Sequence, residues 1–187
     1  MTRNEMSRNE IANYVLDEIK KAGADKASCK VTNERMDEFN IEANKFTLMR
    51  TLFNDQLTIK TIKNNRKGIT RINKLDKSSI DQAVKDCVAL ASSAMPEEAE
   101  DIAEKIENKN FDQSIGGSDM DKLFSMSKNF VEQLRDEYPK IVLESMTTDF
   151  NSGKTIYVNT NGVEFDKNTE YYQIGTMFSA KDGEKSS

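Results

Sequence analysis

Histidine is absent from this chain, and cysteine occurs only twice among its 187 residues. Without an imidazole the chain cannot form a histidine-containing zinc site, a Ser-His-Asp triad or a Cys-His pair. Cys29 and Cys87 are too far apart for a Cys-x-x-Cys pair and too few for a disulfide framework. Both fall on apolar faces of predicted elements, so we interpret them as reduced core thiols. The sequence predicts no catalytic, cofactor-binding or metal-binding residue.

Three further absences narrow the functional class. Gly116-Gly117 and Gly153 belong to no phosphate-binding pattern, so nucleotide binding has no support. The net charge of -5, without a cluster of Lys and Arg, argues against a nucleic-acid partner. No apolar run approaches the roughly 18 residues of a membrane span, and the polar stretch Met1 to Glu10 contains no secretory signal. We therefore expect a cytoplasmic protein that contacts neither nucleic acid nor membrane.

Charged side chains provide two candidate groups around the predicted first sheet. Carboxylates could in principle form an acid-base pair, but with 32 acidic residues chance adjacency is the simpler explanation. A basic group could touch an acidic partner, although lysines on a hairpin more often prevent edge-to-edge aggregation. The carboxylates are Asp37, Glu38, Glu42 and Asp55, and the basic residues are Lys60, Lys63, Arg66 and Lys67.

The first third of the chain predicts a helix followed by strands. Ser7 and Glu10 form a capping box, and Gly23 is placed to end the helix. Its apolar stripe is Ile11, Tyr14, Val15, Ile19 and Ala22. From Lys26 to Asn73 the apolar period changes to two, which predicts three or four antiparallel strands. The pair Asn64-Asn65 can occupy left-handed turn positions and so predicts a hairpin.

A second helix is predicted to open near Asp76 or Ser78 and to end before Pro96. It should cover one face of the sheet, with four residues buried in between: Leu57, Ile59, Ile69 and Cys87. From Glu97 to Gly117 the composition becomes acidic, which indicates a solvent-exposed connecting segment. This segment is long enough to include a short solvated helix.

The last third of the chain predicts one more helix and a second set of strands. The helix begins at Ser118 or Asp119 and stops at Pro139. Its predicted stripe is Leu123, Ser127, Phe130, Leu134 and Tyr138. Four strands are predicted at 141–150, 154–160, 163–166 and 171–180, with turns at Asn151-Ser152-Gly153 and Asn161-Gly162.

This order of elements predicts an α+β fold with antiparallel sheets and packed helices, because no strand-helix-strand alternation recurs. Three segments are expected: 1–96 with helix, strands and helix, 97–117 as the acidic connection, and 118–187 with helix and strands.

Several stretches resemble the amino-terminal region of the TldD/PmbA family, known as modulators of DNA gyrase and as metallopeptidases. The likeness begins with GADKASCKV from Gly23, continues through NRKG at Asn65 to Gly68, and includes SSAMP at the end of the second helix. It extends through VNTNGVEF and YYQIGTMFSAKDGE, which resemble the family's second set of strands. Order and spacing carry the resemblance, which is nearer to the PmbA type.

The resemblance implies a function for a longer parent protein. Family members are more than twice as long and form a two-subunit cytoplasmic metallopeptidase that acts on flexible peptides, including microcin precursors and an antitoxin. Zinc is bound in the TldD-type subunit through a His-Glu-x-x-x-His helix and a later cysteine, and the PmbA-type partner lacks these ligands. This chain has none of that pattern, so the resemblance implies no cofactor here, zinc in the family's catalytic subunit, and a homo- or heterodimer in the full-length protein.

Two hypotheses follow for the chain itself. In the first, it is the non-catalytic, amino-terminal part of such a peptidase and contributes scaffold and peptide access. In the second, it is a self-contained α+β module that binds a peptide or protein through an exposed strand edge.

Overall fold

A computed structural model describes residues 6–187, which form three helices and seven strands. The helices are α1 (Arg8–Lys21), α2 (Lys77–Ser93) and α3 (Met120–Glu137). The strands are β1 (Lys26–Glu42), β2 (Lys45–Lys63), β3 (Arg66–Ile72), β4 (Lys109–Gln113), β5 (Ile141–Asn159), β6 (Glu164–Asp182) and β7 (Lys185–Ser186). They form one sheet in the order β3-β2-β1-β5-β6-β4, with β7 beside β6. The predicted α+β class is confirmed. None of the helices described is long and apolar enough to cross a membrane.

The described residues divide into two compact units that are interleaved along the chain. Unit 1 comprises residues 6–34, 54–113 and 153–168, and unit 2 comprises 35–53, 114–152 and 169–187. Strands β1, β2, β5 and β6 each contribute residues to both units. Both units draw on the predicted segments 1–96 and 118–187.

Helix α1 begins and ends as the sequence predicts. The Ser7 hydroxyl accepts a hydrogen bond from the Glu10 amide at 3.3 Å, and the Glu10 carboxylate accepts one from the Ser7 amide at 2.6 Å. This capping box satisfies two amides that the first turn would otherwise leave unpaired. Gly23 follows the last turn with a φ of 78°, a value that glycine adopts without strain. Of the predicted stripe, Ile11, Val15 and Ile19 are buried in the core of unit 1, Tyr14 is partly buried, and Ala22 is exposed.

The hairpin β2-β3 turns at the predicted asparagine pair. Asn64 and Asn65 have φ values of 51° and 57°, and Lys63 faces Arg66 across the turn. Positive φ at both central residues matches the twist of the flanking strands, which is why asparagine is favoured there. Helix α2 then starts from Asp76, whose carboxylate accepts a hydrogen bond from the Ser79 amide at 3.0 Å.

The predicted core between hairpin and α2 is confirmed at three of four positions. Leu57, Ile59 and Cys87 are buried, whereas Ile69 is 49% exposed, so its predicted burial is wrong. Gly68 faces α2 instead, because a Cβ atom there would lie 2.1 Å from the carbonyl oxygen of Cys87. Alternate residues of a strand point to opposite faces, so the close approach at Gly68 directs Ile69 away from α2.

The second set of strands is longer and less divided than predicted. Asn151-Ser152-Gly153 lies inside β5, so the predicted turn is wrong, and 141–150 and 154–160 belong to one strand. The pairing of β5 with its neighbouring strands β1 and β6 outweighs the local turn preference of these three residues. Asn161-Gly162 does turn the chain between β5 and β6, and Gly162 has a φ of 84°. This prediction is confirmed.

Two further expectations are corrected in the middle of the chain. Residues 97–117 contain strand β4 and no helix. Helix α3 starts from Asp119 and ends before Pro139 as predicted, but its buried residues are Leu123, Ser127 and Val131. Phe130 and Tyr138 of the predicted stripe are exposed. Val131, which follows Phe130 in sequence, is buried instead. It packs with Ile41, Leu143 and Met146 in the core of unit 2.

Candidate functional site

The basic group on the hairpin β2-β3 is occupied by contacts within unit 1. The Lys60 ammonium lies 2.8 Å from a carboxylate oxygen of Glu100, and Lys67 pairs with the other oxygen of the same side chain. Arg66 donates to the carbonyl oxygen of Ser92 at 3.0 Å, and Lys63 donates to that of Ala22 at 3.4 Å. The group therefore holds the acidic segment and the helix ends against the hairpin.

The expected solvent-exposed surface of residues 97–117 is corrected at Glu100 and Ile102, and Ile102 is buried. The Glu100 side chain is only 16% exposed, because two lysines enclose it. Asp101 binds the Lys26 ammonium at 2.7 Å but stays half exposed. Exposed pairs add little stability, whereas the shared Glu100 fixes the position of the segment.

Cys29 and Cys87 are free and buried, which confirms their assignment to the core. Burial raises the pKa of both thiols. The Cys87 Sγ lies 3.3 Å from the Thr61 hydroxyl and 3.4 Å from the carbonyl oxygen of Gly68. A thiol held protonated in such surroundings is a poor nucleophile, so these residues support packing rather than chemistry.

Two of the four candidate carboxylates are buried in unit 2, and each has an arginine. Asp37 lies 3.1 Å from the Arg35 guanidinium and accepts a hydrogen bond from the Thr51 hydroxyl at 2.6 Å. Glu38 lies 3.0 Å from the Arg50 guanidinium. The charges are therefore compensated inside the unit.

The remaining candidates do not complete a metal site. Glu42 is exposed, and Asp55 accepts a hydrogen bond from Asn33 in unit 1. Within residues 6–187, no three His, Cys, Asp or Glu side chains are grouped so that they could hold a metal ion.

Asp149 is a buried carboxylate that the sequence did not single out. Burial raises its pKa, the amide of Asn151 lowers it by donating a hydrogen bond, and the nearby Glu38 charge raises it further. Its predicted surroundings were a strand end beside a turn, but β5 continues through this position. Burial therefore disfavours the charged form of Asp149 relative to a carboxyl group in water.

Because the pKa of Asp149 is raised in the folded state, its protonated form adds stability below the unfolded pKa, and this contribution is lost as the pH rises through the folded pKa. Asp149→Asn keeps an oxygen that accepts a hydrogen bond from Asn151 but has no carboxyl group to ionise, so the variant should not lose this stability as the pH rises. The unfolding free energy of the variant relative to that of the parent should therefore be higher at pH 7 than at pH 4. Urea unfolding at both pH values measures it. A pH-independent difference would contradict the expectation.

A groove of about 420 Å³ in unit 2 is lined mainly by aromatic and sulfur-containing side chains. The rings of Phe39, Phe46 and Phe124 are clustered, with centroids 6.0, 5.8 and 4.4 Å apart. Met49 and Met120 line the same groove, together with Leu48, Thr47 and the single charged residue Asp121. We call this feature the phenylalanine groove. Its volume is within the range of small ligand sites.

Sequence reasoning missed the phenylalanine groove. Phe39 falls within the apolar alternation that predicts the first strands, and Phe124 lies beside the predicted stripe of α3 rather than on it. The available signal was composition, since unit 2 holds six of the nine methionines and seven of the nine phenylalanines. Most of these side chains remain partly exposed: Phe46, Met49, Phe53, Phe124, Met126, Phe130, Met177 and Phe178.

Comparisons of the sequence alone give no match. No protein-family model matches the chain. No curated protein matches it either.

Comparison of the structure gives clear matches. TldE from Thermococcus kodakarensis superposes with a TM-score of 0.81 and 14% identity, over 94% of this chain and 40% of that one. A "putative modulator of a DNA gyrase" from Thermotoga maritima superposes with a TM-score of 0.75 and 13% identity, over 96% of this chain and 42% of that one. A putative modulator of DNA gyrase from Bacteroides thetaiotaomicron superposes with a TM-score of 0.77 and 17% identity, over 100% of this chain and 44% of that one. This chain spans about two fifths of the length of these proteins. The fold likeness predicted from the sequence is confirmed: the chain folds as a part of TldE and of these modulator structures does.

Proposed function

We propose that this chain is a TldD/PmbA-like, non-catalytic part of a metallopeptidase, contributing scaffold and peptide access. The observation that carries the proposal is the superposition on TldE, with a TM-score of 0.81 over 94% of the chain. The stretches that resemble the family in sequence are spread over several elements of this fold: β1, the turn of the hairpin β2-β3, the end of α2, and β5 with β6.

Zinc does not fit the residues of this chain. Catalytic zinc takes three protein ligands, most often with histidine among them, and this sequence has no histidine. Asp37 and Glu38 are committed to arginines, and the two thiols are buried with raised pKa values. On this proposal, the metal and the hydrolytic step belong to residues outside this sequence.

Peptide access is the contribution that unit 2 supports. It presents a concave apolar surface, the phenylalanine groove, beside strands with many exposed apolar side chains. Soluble monomeric proteins rarely expose large contiguous apolar patches, and patches of this kind mark binding surfaces. A flexible peptide can fill such a groove with one side chain while the rest of it stays extended.

The proposal predicts that the purified 187-residue chain holds no stoichiometric zinc and cleaves no peptide. The reason is the ligand set, since carboxylates paired with arginine and buried thiols would have to lose their present partners to bind metal. Metal analysis after dialysis and a fluorogenic peptide assay measure the two properties. One tightly held zinc per chain, or turnover that a chelator abolishes and that survives repurification, would contradict the proposal.

The phenylalanine groove also favours a second candidate, a self-contained peptide- or protein-binding module of the same fold. The native reading frame distinguishes the two. Continuation beyond Ser187 by roughly 250 residues supports the peptidase part, on grounds of domain size. A stop codon after Ser187 supports the module.

A further inference from the structure

We propose that the phenylalanine groove binds an apolar side chain from a basic, extended peptide segment, so that unit 2 selects peptides by charge as well as by hydrophobicity. The inference deepens the proposed function and rests on it, because it names the peptide class that gains access. Three properties of unit 2 carry it: the ring cluster, the exposed methionine side chains and the negative charge.

The groove is built to accept an apolar side chain. The three rings line it, and Phe46 and Phe124 are still 36% and 40% exposed. Met49, at its rim, is 69% exposed. Methionine has an unbranched, polarisable side chain that adapts to differently shaped partners, and it recurs on surfaces that bind many peptides. A bound side chain would remove these exposed apolar surfaces from water.

Charge decides which peptide is preferred. Unit 2 contains thirteen acidic and nine basic side chains, so most of the chain's net charge of -5 lies there. Asp121 is the single charged residue that lines the groove. With Asp119 it also offsets the partial positive charge at the start of α3, so the mouth of the groove does not favour an anion. Lysine or arginine beside the inserted apolar residue would complement this field.

The same charge disfavours a second copy of the chain as the occupant. In a two-fold dimer the same surface patch lies on both sides of the interface. Asp121 would then approach its own copy, and like charges across an interface oppose association. A concave groove facing another concave groove also leaves the ring cluster unfilled. A basic peptide meets neither obstacle.

The test uses the full 187-residue chain and two labelled peptides in fluorescence anisotropy at low salt. The first is a twelve-residue peptide of Leu, Phe, Lys, Gly and Ser that contains four lysines and no acidic residue. In the second, every lysine is replaced by glutamate. We expect saturable binding of the lysine peptide, at least about tenfold weaker binding of the glutamate peptide, and weaker binding of the lysine peptide at high salt.

Matched variants locate the site. Met49→Lys places a positive charge at the rim of the groove and should weaken binding of the lysine peptide about tenfold, the equivalent of about 1.4 kcal/mol. Met95→Lys is the control, because Met95 is 88% exposed and lies in unit 1. Asp121→Asn should reduce the preference for the lysine peptide over the glutamate peptide. Circular dichroism melts verify that each variant is folded.

Four outcomes would overturn the inference. Equal loss of binding in Met49→Lys and Met95→Lys would place the site elsewhere, and equal binding of both peptides would remove the role of charge. Light scattering that shows a dimer abolished by Met49→Lys, in a chain that binds no peptide, would make a second copy the occupant. The zinc and cleavage measurements are independent of these results. A chain that is free of zinc and inactive but binds no lysine peptide refutes this inference alone, whereas zinc-dependent turnover refutes the proposed function.

Discussion

Replacing Gly68 with alanine should lower the unfolding free energy by about 3 kcal/mol, the upper end of the usual range for an overpacked core. The added Cβ would lie 2.1 Å from the carbonyl oxygen of Cys87, 2.7 Å from the amide nitrogen of Ala91 and 3.2 Å from its Cβ. Two of these atoms belong to the backbone of α2, so no side-chain rotation relieves the clash. Strand β3 and helix α2 must separate, which opens the core of unit 1.

Thermal unfolding measures the effect, and for a chain of this size 3 kcal/mol corresponds to a fall in Tm of about 6–12 °C. Gly175→Ala is the matched control. Gly175 also lies in a strand, and a Cβ there would meet nothing within 4 Å. We expect this control to leave Tm within about 1 °C. Similar small changes for both variants would show that α2 can move away from β3 without loss of packing.

Arg50→Met is expected to destabilise the chain by about 2 kcal/mol at pH 7, because it leaves the buried carboxylate of Glu38 without its cation. The Glu38 side chain is 6% exposed and Arg50 is 45% exposed, so the penalty should fall below that of a fully buried pair. Asp149 lies close enough to Glu38 for their charges to interact, which increases the cost of removing the arginine. Urea unfolding measures the change.

A second substitution separates the charge effect from the loss of packing. Glu38→Gln in the Arg50→Met background removes the uncompensated charge and should restore most of the stability. Arg135→Met is the surface control, since Arg135 and Asp136 form an exposed pair on α3, and no measurable change is expected there. A double variant as unstable as Arg50→Met would show that the arginine acts by packing rather than by charge.

The elements that sequence reasoning predicted correctly are those whose signals are local. The capping box of Ser7 and Glu10, the carboxylate of Asp76 and the turn at Asn161-Gly162 each depend on atoms within a few residues. Such hydrogen bonds and backbone preferences are present in the short segment itself. The alternation of Leu57 and Ile59 also identified the buried face of β2 correctly.

The failures depend on contacts between distant segments. Asn151-Ser152-Gly153 has the composition of a turn, yet its neighbours keep it in a strand. Ile69 is more apolar than Gly68, but only glycine fits against α2, and this requirement is visible only when helix and strand are placed together. Glu100 is enclosed by Lys60 and Lys67 from a hairpin more than 30 residues earlier. Tertiary packing overrode local preference in each case.

For the candidate site, the sequence excluded several kinds of chemistry but did not reveal the phenylalanine groove. The absence of histidine removed whole classes of chemistry. The phenylalanine groove could not be derived, because Phe39, Phe46 and Phe124 come from two strands and a helix that are separated along the chain. Its aromatic residues look like ordinary core positions, but the structure buries only Phe39 and leaves Phe46 and Phe124 partly exposed.

The interleaving of the two units determines the order in which the chain can fold during synthesis. In unit 1 the amide of Ala27 donates to the hydroxyl of Thr160 at 3.0 Å, a contact across 133 residues. Strand β1 and the helices of this unit therefore leave the ribosome long before the part of β5 that completes their core. Contacts this distant in sequence raise the contact order and slow folding. The nascent chain would expose its apolar strands throughout that interval, the condition under which chaperones bind newly made proteins.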